Sequence, residues 1–255
     1  MPMTTYRYDY EQRRNGAVPQ SRLIRDGDEP LRPLGIIFNE RSEGLGAYYY
    51  DLWTRRPIAA RVKRVIDALG AAFGIALLAP VFLIIIALVK LTSPGPIIFR
   101  QRRIGFRCNP FDMYKFRTMV DGAHLKEKEL AEQSGGSFLK LKHDPRVTTV
   151  GAFLRKYSLD ELPQLFNVLE GTMSLVGPRP LLMSDLDKLP RRSGLRRFSM
   201  LPGCTGLWQV SGRSNCSEHK RMILDRQYVD RWSLALDFQI LLKTVEVVLK
   251  GQDAV

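Results

Sequence analysis

Residues 158–163 read Ser-Leu-Asp-Glu-Leu-Pro, which sets two carboxylates, Asp160 and Glu161, side by side at the entry to an apolar run. Adjacent carboxylates can divide a reaction between them, one attacking as a nucleophile while the other holds a metal ion. The same letters also spell a helix start. Ser158 followed three residues later by Glu161 has the spacing of a capping box, and Asp160 would then lie in the first turn, where the helix dipole favours negative charge. Both readings fit the spacing, so the rest of the chain has to decide between them.

Charge is the first guide. The 255 residues carry 39 Lys and Arg against 26 Asp and Glu, a net charge of +13. The excess is concentrated: residues 90–121 hold seven basic and two acidic side chains, and residues 184–221 hold eight and three. Two basic patches, rather than an even coat, point to an anionic partner such as phosphate, nucleic acid or acidic lipid. Around the dyad the balance is neutral, with three basic and three acidic side chains over residues 151–183. A module that only binds anions does not explain an acidic pair there. Nor does the chain show the aromatic–basic alternation of a single-strand nucleic-acid platform, so nucleic acid is not an expected partner. Cys108, Cys204 and Cys216 are an odd number with no Cys-x-x-Cys pair, which fits a reducing compartment. Cys204, Cys216 and His219 lack a fourth ligand and the spacing of a structural zinc site.

The elements that must position these groups begin with a membrane segment. Between Asp67 and Lys90 run 22 uncharged, mostly apolar residues, long enough to cross a bilayer as a helix. Two details oppose simple crossing. Pro80 falls near the middle, where it removes a backbone hydrogen bond and kinks a helix. Both flanks are basic, with Arg55, Arg56, Arg61, Lys63 and Arg64 before and Lys90, Arg100, Arg102 and Arg103 after, whereas a spanning helix normally shows unequal sides. A segment that enters the inner leaflet, breaks at Pro80 and returns would put both flanks on one surface.

Downstream, Ile97–Met119 has two apolar-aromatic runs around Gly105 and Asn109-Pro110 and predicts a β-hairpin. Residues 121–134 alternate Lys and Glu like a solvated helix, and Gly-Gly-Ser at 135–137 predicts a flexible loop. A helix is expected over Leu159–Leu169, an extended turn over the two prolines of residues 175–180, and helix over 218–250. Apolar and aromatic positions cover much of that last segment, as is usual for core helices, while some of them also suit the membrane interface, with Trp232 or Tyr228 at headgroup level. Arg191, Arg192, Arg196 and Arg197 are expected to meet anionic headgroups.

In this order the chain carries FRQRRIG, YKFRTM, DPRVTTVGAFLRKYSLDELPQLFNVLEGTMSLVGPRP and PGCTGLWQVSGR after its hydrophobic segment. Over about residues 60–250 it resembles the bacterial sugar transferases, the monotopic polyprenyl-phosphate phosphoglycosyl transferases that initiate exopolysaccharide, capsule and O-antigen synthesis. The resemblance implies transfer of a sugar-1-phosphate from a nucleotide diphosphate sugar to polyprenyl (undecaprenyl) phosphate, with Mg2+ as cofactor. It implies Asp160 as nucleophile, Glu161 as magnesium ligand, and Lys115, Arg155 and Arg179 as phosphate contacts. Arg213, in Ser-Gly-Arg, is a further candidate for the nucleotide or sugar. Many relatives have Ser-Pro at the membrane break. Here it is Ala79-Pro80, which keeps the proline but lacks a hydroxyl to satisfy a freed carbonyl.

These expectations form one picture: a mainly α chain with a small β-hairpin (α+β), monotopic on the cytoplasmic face of the inner membrane, with a re-entrant helix–break–helix and interfacial amphipathic helices. Residues 1–60 are a polar, partly irregular N-terminal region, 61–92 the membrane segment and 93–255 the cytoplasmic catalytic domain. The expected partners are a UDP-sugar, polyprenyl phosphate and membrane lipids, and a homodimer is compatible with the sequence. A UDP-hexose is favoured by analogy of CTGLWQVSGR, with an N-acetylated amino sugar as the alternative donor. A basic membrane-attached binding protein is the alternative of another class.

Overall fold

The computed structural model describes residues 23–24, 32–33, 56–123, 144–183, 185, 195–212 and 216–250. Of the helix expected at 121–134, residues 121–123 form a turn and residues 124–134 lie outside the described residues, as do the loop at 135–137 and Arg191, Arg192 and Arg213. The chain divides between Tyr48 and Tyr49. In the first unit, strands β1 (Leu23–Ile24) and β2 (Arg32–Pro33) pair antiparallel.

The second unit is built along one helix, α1 (Pro57–Thr92). Pro57 occupies its first turn, where the missing N–H costs nothing. The helix does not stop at Pro80: its 36 residues are continuous, with the proline inside. The expected helix–break–helix is thus one helical run, so a return to the same surface requires a bend within the helix at Pro80 rather than a gap in it. A proline removes one hydrogen bond and crowds one carbonyl, and here the turns on either side are held by packing. Ala60, Lys63, Asp67 and Ala71 are buried before it, and Phe82, Ile85 and Val89 after it. Its opposite side is bare: Leu69, Phe73, Leu77, Leu83 and Ile84 are each at least 60% exposed. The C-terminal carbonyls are met by a cation, as the dipole favours. The buried Arg117 guanidinium donates to Val89 O at 3.0 Å, Ser93 O at 2.7 Å and Pro96 O at 2.5 Å.

The predicted hairpin is present as β3 (Ile98–Ile104) and β4 (Pro110–Phe116), antiparallel with Ile98 opposite Phe116 and Phe99 opposite Lys115. A 3₁₀ turn at Phe106–Cys108 joins them, with Arg107 at φ 53°. Strand alternation puts Phe111, Met113 and Lys115 on one face. Phe111 and Met113 pack with Ala71, Val168 and Met173, while Phe116 joins Phe82, Ile85, Val89 and Leu154.

Helix α2 (Thr149–Lys156) is capped by Thr148, whose hydroxyl accepts from Gly151 N at 2.9 Å. Gly151 admits the backbone of Thr118, whose carbonyl oxygen would lie 2.1 Å from any added Cβ. The helix expected at Leu159–Leu169 is two pieces, a 3₁₀ turn at Leu159–Glu161 and α3 (Gln164–Glu170). The capping box is absent. Ser158 is left-handed, at φ 56° and ψ 22°, and its side chain makes no cap bond. Pro163 at the entry to α3 starts the helix in its place.

Two three-residue strands, β5 (Ser174–Val176) and β6 (Gly203–Thr205), pair in parallel. The predicted C-terminal helix is interrupted at Trp232 and Ser233, giving α4 (Glu218–Arg231) and α5 (Leu234–Lys250). Tyr228 and Trp232 are core residues rather than headgroup contacts, packed with Val176, Met200, Val229 and Ile240. Their polar tips explain the difference: Tyr228 OH and Trp232 Nε1 both donate to the buried Asp237, at 2.6 and 3.2 Å. Among the described residues of α5, the large hydrophobic side chains that stay exposed are Phe238, Leu242 and Val245.

Asn167, fully buried on α3, couples this helix to the hairpin. Its carboxamide accepts from Tyr114 N at 2.9 Å and donates to Asp112 O at 2.8 Å, imitating a neighbouring strand. Replacing it by leucine leaves those two backbone groups without these partners, at about 1–3 kcal/mol for each group buried in that state. Asn167→Leu should therefore lower the chemical-denaturation midpoint clearly. An unchanged midpoint would mean that the coupling is dispensable.

Candidate active site

The left-handed turn at Ser158 redirects the chain as it leaves α2. The following 3₁₀ turn carries Asp160 inward, 8% exposed, with Glu161 next to it. The adjacent strand β4 supplies Lys115, whose Nζ donates to Glu161 Oε1 at 2.6 Å and lies 4.0 Å from Asp160 Oδ2. From the turn after β5, Arg179 approaches the same Glu161 oxygen at 3.5 Å. Arg155 on α2 is held by Thr118, its Nε donating to Oγ1 at 2.9 Å, and its charge acts on Asp160. The structure thus brings Asp160, Glu161, Lys115, Arg155 and Arg179 together.

The two carboxylates sit in different environments. Burial pushes the Asp160 carboxyl above its usual range, and the Glu161 charge adds to this against Lys115 and Arg155. Burial also opposes ionisation of Glu161. There the combined pull of Lys115, Arg179 and Arg103 prevails and holds it down at about 2. Neighbouring acids with opposed shifts are a common mark of divided catalytic roles.

Arg103 was read from the sequence as a membrane flank, but it faces Arg179 and Glu161. Burial, then Arg179, lower its pKa to about 10. Nothing in the run Arg102-Arg103 distinguishes the inward member from its neighbour, so only the strand register reveals it. Trp208 is a second such residue, with the Arg179 and Arg221 guanidinium groups 5.5 and 4.9 Å from its ring centre. Arg197, expected at lipid headgroups, is instead buried and paired with Asp225 at 2.5 Å. Arg196 pairs with Asp230. A buried guanidinium such as that of Arg197 needs a charged partner, and α4 provides it, as it does for the partly exposed Arg196.

Among the described residues, no group of three or more His, Cys, Asp or Glu could hold a metal ion. Magnesium commonly uses only one or two carboxylates and completes its shell with water and substrate phosphates. Glu161, ionised and half-shielded beside Asp160, fits that requirement as a single hard oxygen ligand.

A buried Asp160 and a half-buried Glu161 thus lie among Lys115, Arg155, Arg179 and Arg103, in a unit whose helix α1 is long and apolar enough to cross a membrane. The profile of the family described as bacterial sugar transferase matches residues 58–251, and the chain belongs to this family of transferases. Among its relatives is the exopolysaccharide production protein ExoY of Rhizobium meliloti, 44% identical over 199 residues, which cover 76% of this chain and 88% of that protein. The undecaprenyl-phosphate galactose phosphotransferase of Salmonella typhimurium is 42% identical over 200 residues, covering 76% of this chain and 41% of that one. A UDP-glucose:undecaprenyl-phosphate glucose-1-phosphate transferase of Caulobacter vibrioides is 41% identical over 203 residues, covering 75% and 71%.

Among the charges that lower the Asp160 pKa, Lys115 acts most strongly. Removing that cation should raise the Asp160 pKa further. The acid limb of kcat/KM, measured on the residual activity of Lys115→Met, should therefore move to higher pH. A limb that stays in place would assign the acidic titration to another group.

Proposed function

We propose that the protein transfers a hexose-1-phosphate from a UDP-sugar to undecaprenyl phosphate, releasing UMP, and so starts assembly of an exopolysaccharide, capsule or O-antigen. The observation that carries this reading is the buried Asp160 between Lys115 and Arg155, beside a Glu161 kept ionised. An Asp160 oxygen attacks the phosphorus that bears the sugar. The bond from that phosphorus to the bridging oxygen breaks, and UMP leaves with the electron pair. The resulting aspartyl phosphate still carries the sugar. A phosphate oxygen of undecaprenyl phosphate then attacks the same phosphorus, frees the Asp160 carboxylate and gives the lipid diphosphate sugar.

Two anions must meet in each step, so the site has to offset their repulsion. Lys115, Arg155, Arg179 and Arg103 supply positive charge around the dyad. Magnesium, held by Glu161 and substrate phosphates, would mask the diphosphate charge and improve the leaving group. Galactose and glucose in the names of two relatives support a hexose over an N-acetylated amino sugar.

Asp160→Asn tests the mechanism. Because burial raises the Asp160 pKa, its ionised form opposes folding at neutral pH, and the amide should fold at least as well. Turnover should nevertheless fall by orders of magnitude. With UDP-galactose or UDP-glucose and magnesium but no lipid acceptor, the wild type should release UMP and gain the mass of a hexose phosphate on Asp160. An active Asp160→Asn enzyme, or the same mass on another residue, would sink the aspartyl route.

For the membrane segment, a re-entrant placement is supported by the packing of both halves of α1 against one catalytic unit. The exposed faces of α1 and α5 would meet lipid. Cysteines introduced at positions 5 and 253 should both resist labelling from outside intact cells. External labelling of only one would establish a crossing helix.

A further inference from the structure

The chain after β5 turns through Gly177-Pro178-Arg179-Pro180, and its successive carbonyls are each held. Pro178 O accepts from Gly203 N at 3.0 Å, Arg179 O from Arg197 Nη2 at 2.8 Å, and Pro180 O from Arg103 Nη1 at 3.4 Å. Of these donors, Gly203 N is a backbone group of β6 and the Arg103 guanidinium already faces Arg179 and Glu161. Arg197 differs: it comes from the 3₁₀ segment Leu195–Ser199 and is 7% exposed. The same Nη2 donates to Asp225 Oδ2 on α4 at 2.5 Å, and Asp225 is only 1% exposed. Burying such a pair carries a desolvation cost that a hydrophobic pair avoids. What an apolar pair could not do is grip a carbonyl.

We propose that the buried Arg197–Asp225 pair is a positioning device for Arg179. Asp225 aims the Arg197 guanidinium, and Arg197 fixes the main chain from which the Arg179 side chain reaches toward Glu161. The far end of that side chain is steadied separately by the Trp208 ring. Neither Arg197 nor Asp225 touches substrate. The inference rests on reading Arg179 as a phosphate contact. Its consequence is kinetic: loosening the turn should weaken diphosphate handling while leaving the dyad itself in place.

A double-mutant cycle separates the two ideas, with UDP-galactose or UDP-glucose, magnesium and undecaprenyl phosphate, and UMP release as the readout. Arg179→Lys keeps the charge but loses the planar fork, and should lower kcat/KM at least about tenfold. Asp225→Asn should lower it about tenfold in the wild-type background, but less than about twofold when Arg179 is already lysine, because both changes act through one side chain. Thermal midpoints measured on all four proteins show which of them are folded. Should Asp225→Asn not fold, Arg197→Lys, which keeps the charge pair but not the geometry, takes its place in the cycle. Equal losses in both backgrounds would make the pair a stabilising ion pair only and overturn the proposal. Wild-type kinetics for Arg179→Lys alone would instead remove the phosphate role of Arg179, and with it any reason to position it.

Discussion

The architecture hangs on a buried cation. Lys63, 2% exposed on α1, lies 2.6 Å from Asp237 Oδ2 and 3.6 Å from Asp67 Oδ2. Charges taken out of water need such partners and further hydrogen bonds. Ser174 Oγ and Leu175 N serve Asp67 at 2.7 and 3.1 Å, and Tyr228 and Trp232 serve Asp237. One network therefore joins the long helix, β5, α4 and α5. Strand β5 leads directly into the turn that carries Arg179, so the geometry around the dyad is tied to the long helix through a few side chains. Arg64 extends the joint by donating to the carbonyls of Val168 and Leu169 near the end of α3.

The site illustrates how burial can be used selectively. Asp160 and Glu161 are adjacent, yet the nearest cations bond to Glu161, which stays firmly ionised. Asp160 receives them at longer range and keeps a raised pKa. A less stabilised carboxylate is the better nucleophile, and a firmly ionised one the better cation ligand. The 3₁₀ turn makes the distinction possible, since it sets consecutive side chains at different depths.

Much of this was legible from residue order. The hairpin announced itself by two alternating runs, α1 by its apolar length, and the dyad with Lys115, Arg155 and Arg179 by motif resemblance. The misreadings share a cause. Ser158 and Glu161 have capping-box spacing, but the left-handed backbone at Ser158 is decided by how the turn docks, and the helix starts only at Pro163. Lys63, Arg103 and Arg197 sit in basic runs that read as surface, and only tertiary partners show which member points inward. Strands of three residues, β5 and β6, are too short to display a period. Their pairing depends on backbone approach at Gly177 and Gly203, where an added Cβ on Gly203 would lie 2.0 Å from Gly177 N.

The one-sided packing of α1 bears on how such a protein can be handled. Deleting the apolar helix is the obvious way to seek a water-soluble fragment. Here the deletion would strip Asp237 of its cation, Ser174 and Leu175 of their carboxylate, and Phe116 and Leu154 of Phe82, Ile85 and Val89. The helix is apolar enough for a bilayer on one side and part of the domain's interior on the other. A detergent-free version would have to be reached by repainting: polar residues at Leu69, Phe73, Leu77, Leu83 and Ile84, with the inward row from Lys63 to Val89 left as it stands.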